Sequence, residues 1–261
     1  MKTTEWLNHY YVICKKLGID PAKDRQAAEI LSNIIRDVCV SRADVAEFFA
    51  GRNFAVVFGA ASSLEEDLED FLESFDCERA AIVVADGAVR AFLDLGVRPD
   101  VVVTDLDGGD EALLRAATTS RFFVVHAHGD NISKIQHLVP KLDTKVLGTT
   151  QTEPVGVLDN FGGFTDGDRA VFLCEELGVK TIVVAGMDFD GEIGKFSKPY
   201  LLDEKEKMRK KLKLQIGKSL LEILATKTNA ALYDASKTNS VIRGFQKIGW
   251  RELAERLCRL K

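Results

Sequence analysis

Two aspartates one residue apart, Asp105 and Asp107, follow the apolar run Val101–Thr104 and precede Gly108. A run of this kind reads as a buried strand, and alternation along an extended chain turns positions i and i+2 to the same side. Two carboxylates so placed resist joint ionisation unless a cation or a proton sits between them. Oxygen-only ligation suits magnesium, which commonly takes one or two carboxylates together with phosphate oxygens of a substrate. The plainer alternative is a strand-end loop with two solvated aspartates.

The placement recurs along the chain. Phe54–Phe58 runs into Gly59-Ala60-Ala61-Ser62-Ser63, where small residues let backbone amides approach a phosphate and Ser62 or Ser63 either caps a helix or donates a hydroxyl. This loop lacks the Gly-Lys-Ser/Thr of a P-loop and the later glycines of a dinucleotide fingerprint, so an ordinary helix cap is the simpler reading. Ala85-Asp86-Gly87 sets Asp86 where a helix begins, as a cap or as a ligand. A fourth run, 122–126, leads into His126-Ala127-His128-Gly129-Asp130-Asn131, with half of the chain's four histidines. His-x-His can bind a transition metal, but no further His or Cys lies near in sequence. With Asp130 following, an oxygen-rich magnesium site is expected, with the histidines hydrogen-bonded to phosphates. Phe161-Gly162-Gly163-Phe164-Thr165-Asp166-Gly167-Asp168-Arg169 is a glycine-rich loop entering a helix that Asp166 or Asp168 can cap, and Gly186-Met187-Asp188 closes another run. Each is explicable alone as a cap. Five at one rim point to metal-assisted phosphoryl-type transfer.

These residues share a rim only if the runs form one sheet. Continuous apolar runs at Phe54–Phe58, Ala80–Ala85, Val101–Thr104, 122–126, 145–147 and Thr181–Ala185 mean strands buried on both faces, and amphipathic stretches between them mean parallel βαβ units. In such sheets ligands collect beyond the carboxyl ends of the strands. Helices are expected at 64–75, 88–95, 111–117, 132–138 and 168–177, with Gly96 and Gly178 as stop signals. Residues 1–52 read as helical, with Asp20-Pro21 as a helix start. Residues 193–261 hold a charge-dense helix over 203–224 with Lys205, Lys207, Arg209, Lys210, Lys211 and Lys213, read as a solvated face rather than an anion site. A strand at 231–234 and a closing helix at 250–260 follow. The expected architecture is α/β: a Rossmann-like parallel sheet core over 53–192, between N-terminal (1–52) and C-terminal (193–261) helical regions.

At 261 residues and 46% hydrophobic, the chain can bury one large core. A net charge of −5 gives no electrostatic case for nucleic acid or an anionic membrane, so an anionic ligand needs local cations. Five scattered cysteines without Cys-x-x-Cys read as reduced thiols, neither a zinc site nor a disulfide frame. Lys2, Glu5 and His9 break any leader-like apolar run, and no stretch approaches the ~20 apolar residues of a membrane span. A cytoplasmic protein is expected, with a homo-oligomer open.

Ala85-Asp86-Gly87-Ala88, then Leu95-Gly96-Val97-Arg98-Pro99-Asp100 and Thr104-Asp105-Leu106-Asp107-Gly108, resemble the nucleotide-binding half of thiamine pyrophosphokinases. With His126-Ala127-His128-Gly129-Asp130-Asn131, the 161–169 loop and Ala185-Gly186-Met187-Asp188-Phe189, the chain is more similar to the archaeal 6-hydroxymethyl-7,8-dihydropterin pyrophosphokinases, over roughly 54–200. A related branch of glycosyltransferase-like proteins shares the opening and closing motifs but carries long extra domains. The resemblance implies transfer of intact diphosphate from ATP to a reduced pterin's hydroxymethyl group, by in-line attack on the β-phosphorus with AMP leaving, in folate- or methanopterin-type cofactor synthesis. It implies magnesium on Asp105, Asp107 and Asp130. His126, His128 and Asn131 would meet phosphate oxygens or the hydroxyl, a histidine serving as a possible general base. Gly59, Ser62, Ser63, Asp86 and Gly87 would face the nucleotide, and Arg169 either the diphosphate or solvent. Asp166 or Asp168 would meet the pterin edge, with Asp188 also on the substrate side. Thiamine as the accepting alcohol, and a non-catalytic nucleotide-binding module, stand as alternatives.

Overall fold

The structure is a computed structural model that describes residues 1–75, 79–191, 193–197 and 203–257, and the backbone of 258. Among the described residues eight strands form one sheet: β1 (Phe54–Phe58), β2 (Ala80–Ala85), β3 (Val101–Thr104), β4 (Phe122–Ala127), β5 (Lys145–Thr150), β6 (Thr181–Ala185), β7 (Ala231–Asp234) and β8 (Gln246–Lys247). Their order is β5-β4-β3-β2-β1-β6-β7-β8, and every pairing is parallel. The chain steps outward from β1 to β5, then resumes on the other side at β6. Its direction of travel therefore reverses between β1 and β6, where a crevice opens at the carboxyl ends.

Alternation along each strand feeds two cores. Val56 and Phe58 point to a layer with Leu31, Phe71, Phe92, Phe123 and Trp250. Ala55 and Val57 point to one with Trp6, Tyr10, Phe172 and Leu221. The first layer is covered by α2 (Pro21–Ile35), α4 (Leu64–Ser74), α5 (Val89–Asp94), α6 (Asp110–Ala117), α7 (Ile132–Leu138) and α10 (Trp250–Cys258). The second lies under α1 (Thr3–Leu17), α3 (Arg42–Ala50), α8 (Asp166–Glu176) and α9 (Glu204–Ala225). Strands buried on both faces are what the uninterrupted apolar runs require.

The terminal regions do more than pack beside the sheet. α2 starts where Asp20 accepts from the Ala22 amide at 2.9 Å, and it covers one face while α1 and α3 cover the other. Between them Val40 N–H donates to Val146 O at 2.9 Å, closing the exposed edge of β5. At the opposite edge the C-terminal region adds β7, expected at 231–234, and β8, which no sequence signal marked. Cys14 and Cys174 are buried and Cys39 partly so; Cys77 and the Cys258 side chain lie outside the described residues. Among the described residues no helix is long and apolar enough to cross a membrane.

Candidate active site

The Asp105/Asp107 pair is brought together by a turn and not by the pleat. β3 ends at Thr104, and Leu106 takes the left-handed conformation, φ 71°. A branched residue there costs on the order of 1–3 kcal/mol, offset by full burial of the Leu106 side chain. Leu106 N–H donates to Thr104 Oγ1 at 2.8 Å and Asp107 N–H to Asp105 Oδ1 at 3.3 Å. The turn folds both carboxylates over the end of β3.

Asp86, from the end of β2, completes the group. Oxygens of Asp86, Asp105 and Asp107 lie within 4.8 Å of one another. Asp86 is buried; Oδ1 accepts from the Thr104 hydroxyl, while Oδ2 has no hydrogen-bond partner among the described residues. Burial, then the charges of Asp105, Asp166 and Asp107, push its carboxyl well above the usual range. Asp166 is raised likewise by burial and by Asp105 and Asp107, against the opposing pull of Arg169 and Lys210. Asp86, Asp105 and Asp107, with a buried orphaned oxygen on Asp86 and the Asp166 charge beside them, fit a hard divalent cation, which reverses that penalty. Asp130 is not part of this group: it is exposed on the 3-10 turn Gly129–Asn131, its backbone N–H donating to His128 Nδ1 at 3.2 Å.

Several expected ligand contacts are occupied by protein. Asn131 donates through Nδ2 to the carbonyls of Asp105 (2.8 Å) and His126 (2.7 Å), and its Oδ1 accepts from His128 N–H at 3.0 Å. It ties β3 to β4 and leaves no donor for a phosphate. His128 Nδ1 accepts the Asp130 amide, so Nε2 carries the proton and faces Asp105 Oδ2 at 3.3 Å. Its place is behind a carboxylate, which it orients. Asp168 is corrected as a pterin contact. It is fully buried, with Oδ2 accepting from Phe164 N–H at 2.6 Å and Oδ1 from Thr165 N–H at 2.8 Å and the Thr165 hydroxyl, so it caps α8. Ser63 donates to Asp67 Oδ2 at 2.8 Å and is likewise committed, while Ser62 is exposed. Arg169 is not on the surface: buried, it donates through Nη2 to Gln151 Oε1 (2.8 Å) and Phe164 O (3.1 Å).

Two chambers meet at the aspartates. The first lies at the β1/β6 crevice, lined by Gly59, Gly87, Gly186, Met187, Asp188 and Phe189. Its walls are close: a Cβ at Gly59 would stand 2.7 Å from Gly186 O, and one at Gly87 2.6 Å from Phe196 O. Asp188 Oδ1 holds its own loop, accepting from Asp190 and Gly191 amides at 3.1 and 2.9 Å. The second lies over β3–β5, lined by Asp24, His126, His128, Gln151, Phe164 and Arg169, with Lys23, Arg209 and Lys213 around it. Asp107, Thr165, Asp166 and Lys210 border both.

Sequence reasoning missed Asp24 and Gln151. Asp24 is buried on α2 and accepts from Tyr10 OH (2.7 Å), Gln151 Nε2 (2.6 Å) and Gly129 N–H (2.7 Å). No local pattern links residues 127 positions apart. The basic helix is only partly a solvated face: Lys205, Lys207 and Lys211 are exposed, whereas Arg209, Lys210 and Lys213 turn to the chambers.

The model of the family described as "6-hydroxymethylpterin diphosphokinase MptE-like" matches residues 30–193. A 6-hydroxymethyl-7,8-dihydropterin pyrophosphokinase of Pyrococcus furiosus is 43% identical over 90% of this chain and 100% of its own length. Proteins of the same name from Methanothermobacter thermautotrophicus and Methanocaldococcus jannaschii are 39% and 37% identical, over 86% and 87% of this chain and 95% and 97% of their own. Among solved structures, the MAf glycosyltransferase of Magnetospirillum magneticum AMB-1 superposes with a TM-score of 0.53 at 14% identity, covering 80% of this chain and 37% of that longer one. That likeness is one of fold.

Proposed function

The chain belongs to the MptE-like 6-hydroxymethylpterin diphosphokinase family, and from that premise we propose how its cleft moves intact diphosphate from ATP to the hydroxymethyl group of 6-hydroxymethyl-7,8-dihydropterin, releasing AMP. The observation that carries the assignment of the site is the aspartate group at the seam of two chambers, with Asp86 Oδ2 buried and unpartnered among the described residues. Two substrates need two seats and a shared seam where an alcohol oxygen meets the β-phosphorus in line.

Asp86, Asp105 and Asp107 would hold magnesium, whose charge offsets that of the diphosphate under attack. His128 keeps the Asp105 carboxylate turned to the seam through its 3.3 Å contact. Lys210, bordering both chambers, presents an ammonium to the phosphates as they cross. Asp166 borders both chambers at the same seam, so its carboxylate is placed to take the proton of the attacking hydroxyl. Gly59 and Gly87 line the first chamber, where a nucleotide would lie against the main chain.

The test is a mixture of enzyme, ATP, magnesium and 6-hydroxymethyl-7,8-dihydropterin, with thiamine in a parallel reaction. AMP and a pterin diphosphate should accumulate in equal amounts in the first alone. AMP with thiamine only, or ADP in place of AMP, would overturn the reading.

A further inference from the structure

A buried histidine lines the second chamber with one ring nitrogen unpartnered among the described residues. His126 is 1% exposed, and the nitrogen is Nε2. Nδ1 lies 3.1 Å from Thr149 Oγ1. The Thr149 hydroxyl has one proton, which it gives to Val125 O at 3.2 Å. With that proton on the Val125 carbonyl, the hydroxyl accepts from Nδ1–H and Nε2 is left as a lone pair. Burial, then the Arg169 guanidinium, hold the imidazole well below its usual range, and it stays neutral. Gln151 favours a proton on the ring, but its amide, which donates to Asp24 and accepts from Arg169, makes no hydrogen bond with His126 Nε2. The ring is held through its Nδ1 contact with Thr149, and Asn131 holds the His126 backbone carbonyl at 2.7 Å.

A lone pair in this position repels phosphate oxygens and recruits an N–H or O–H donor. ATP offers such a donor on its adenine amine, and a reduced pterin offers several ring N–H groups. The first chamber, with Met187, Phe189 and Leu214 among glycine backbones, suits a flat base held by apolar contact. The second combines Phe164 with the polar set of His126, Gln151 and Arg169, the lining that a small heterocycle with a polar edge needs. We propose that the second chamber seats the pterin ring and that His126 Nε2 accepts a hydrogen bond from a ring N–H of the substrate, so that His126 selects the pterin and does not touch phosphate. This inference rests on the diphosphokinase reading above. Its selectivity follows from cost: a heterocycle without that N–H leaves a buried acceptor unpaired.

The experiment measures equilibrium binding of 6-hydroxymethyl-7,8-dihydropterin and of a non-hydrolysable ATP analogue to wild type, His126→Ala and His126→Gln. Folding is checked by circular dichroism. Pterin affinity should fall about 10- to 100-fold in His126→Ala and partly return in His126→Gln, whose amide oxygen can accept. Affinity for the ATP analogue should stay within about twofold. On wild type alone, 15N spectra of the imidazoles should show an unprotonated Nε2 that shifts on adding pterin and not on adding the ATP analogue. A protonated Nε2, a shift with the ATP analogue instead, or unchanged pterin affinity in His126→Ala would overturn the proposal. Wild type binding no pterin would bring down the functional reading itself, an outcome distinct from variants that bind it as well as wild type.

Discussion

Gly108 is pressed against Asp86. A Cβ at position 108 would stand 2.6 Å from Asp86 Oδ2 and 2.9 Å from the Asp86 backbone oxygen. The glycine that follows the aspartate pair is therefore the space in which a carboxylate from the neighbouring strand turns toward Asp105 and Asp107. Three acidic groups on two strand ends are one unit because position 108 has no side chain.

Gly108→Ala should then injure the cation site ahead of the fold. The added carbon must displace the Asp86 carboxylate, at an overpacking cost on the order of 1–3 kcal/mol. The magnesium concentration for half-maximal activity should rise about tenfold or more, while the circular dichroism spectrum stays that of wild type. A variant with normal magnesium dependence would show that Asp86 does not share the cation.

Asp86→Asn should separate stability from activity. Its carboxyl is held up by burial and by three neighbouring acidic groups, so a neutral isostere relieves repulsion in metal-free protein. In chelator at neutral pH, its melting temperature should equal or exceed that of wild type. With saturating magnesium the order should reverse, because only wild type gains binding energy from the ion. Turnover should fall by well over ~10²-fold. A variant less stable than wild type in chelator would contradict the strained-cluster reading.

Asp67 gives a pH signature away from the chambers. Its carboxylate, on α4, accepts from the amides of Gly186 (2.8 Å) and Lys237 (2.9 Å) and from Ser63 Oγ (2.8 Å). Burial outweighs these bonds and raises it from 3.8 to about 6. Between those values the folded protein holds a proton that the unfolded chain has lost, so this group's contribution to stability falls as pH rises from about 4 to 6. The penalty above that window is of order 3 kcal/mol. Melting temperatures of wild type minus Asp67→Asn should decline across that interval and level off beyond it. A constant difference would mean that the carboxylate is ionised throughout.

What could be read in the sequence follows from how local its cause is. Strands β1 to β4 and β6 were legible because burial on both faces forces unbroken apolar runs. β8 was not, since exposed Gln246 and Lys247 carry no pattern. Extended geometry alone predicts Asp105 and Asp107 on one side of a strand; the left-handed Leu106 breaks that geometry, and a turn brings the two together instead. Asp86 stood open between cap and ligand, because its neighbours at the seam come from a different strand. The Asp24–Gln151–Arg169 chain spans α2, the end of β5 and α8, a distance that no spacing rule covers. Thr165 and Asp168, three apart, carry a capping signal, but Asp166 at the same loop end offers the helix an equally plausible cap in sequence.

That last ambiguity sets a test in one pair of variants. Asp168 spends both oxygens on the backbone and hydroxyl groups opening α8, and α9 packs onto it so closely that a Cβ at Gly217 would lie 2.7 Å from Oδ1. Asp168→Ala should cost at least the ~0.5–2 kcal/mol of a lost N-cap, and more because buried N–H groups lose their acceptor. Its effect on catalysis should follow its loss of folded protein. Asp166 is half-buried, borders both chambers and repels Asp105 and Asp107. Asp166→Ala should melt at or above the wild-type temperature in the absence of metal, yet lose turnover by ~10²-fold or more, the range of a general base. Chemical denaturation and single-turnover assays on the two proteins distinguish the roles. If Asp168→Ala kept full stability and lost pterin turnover while Asp166→Ala stayed active, the assignment of cap and substrate contact would have to be exchanged.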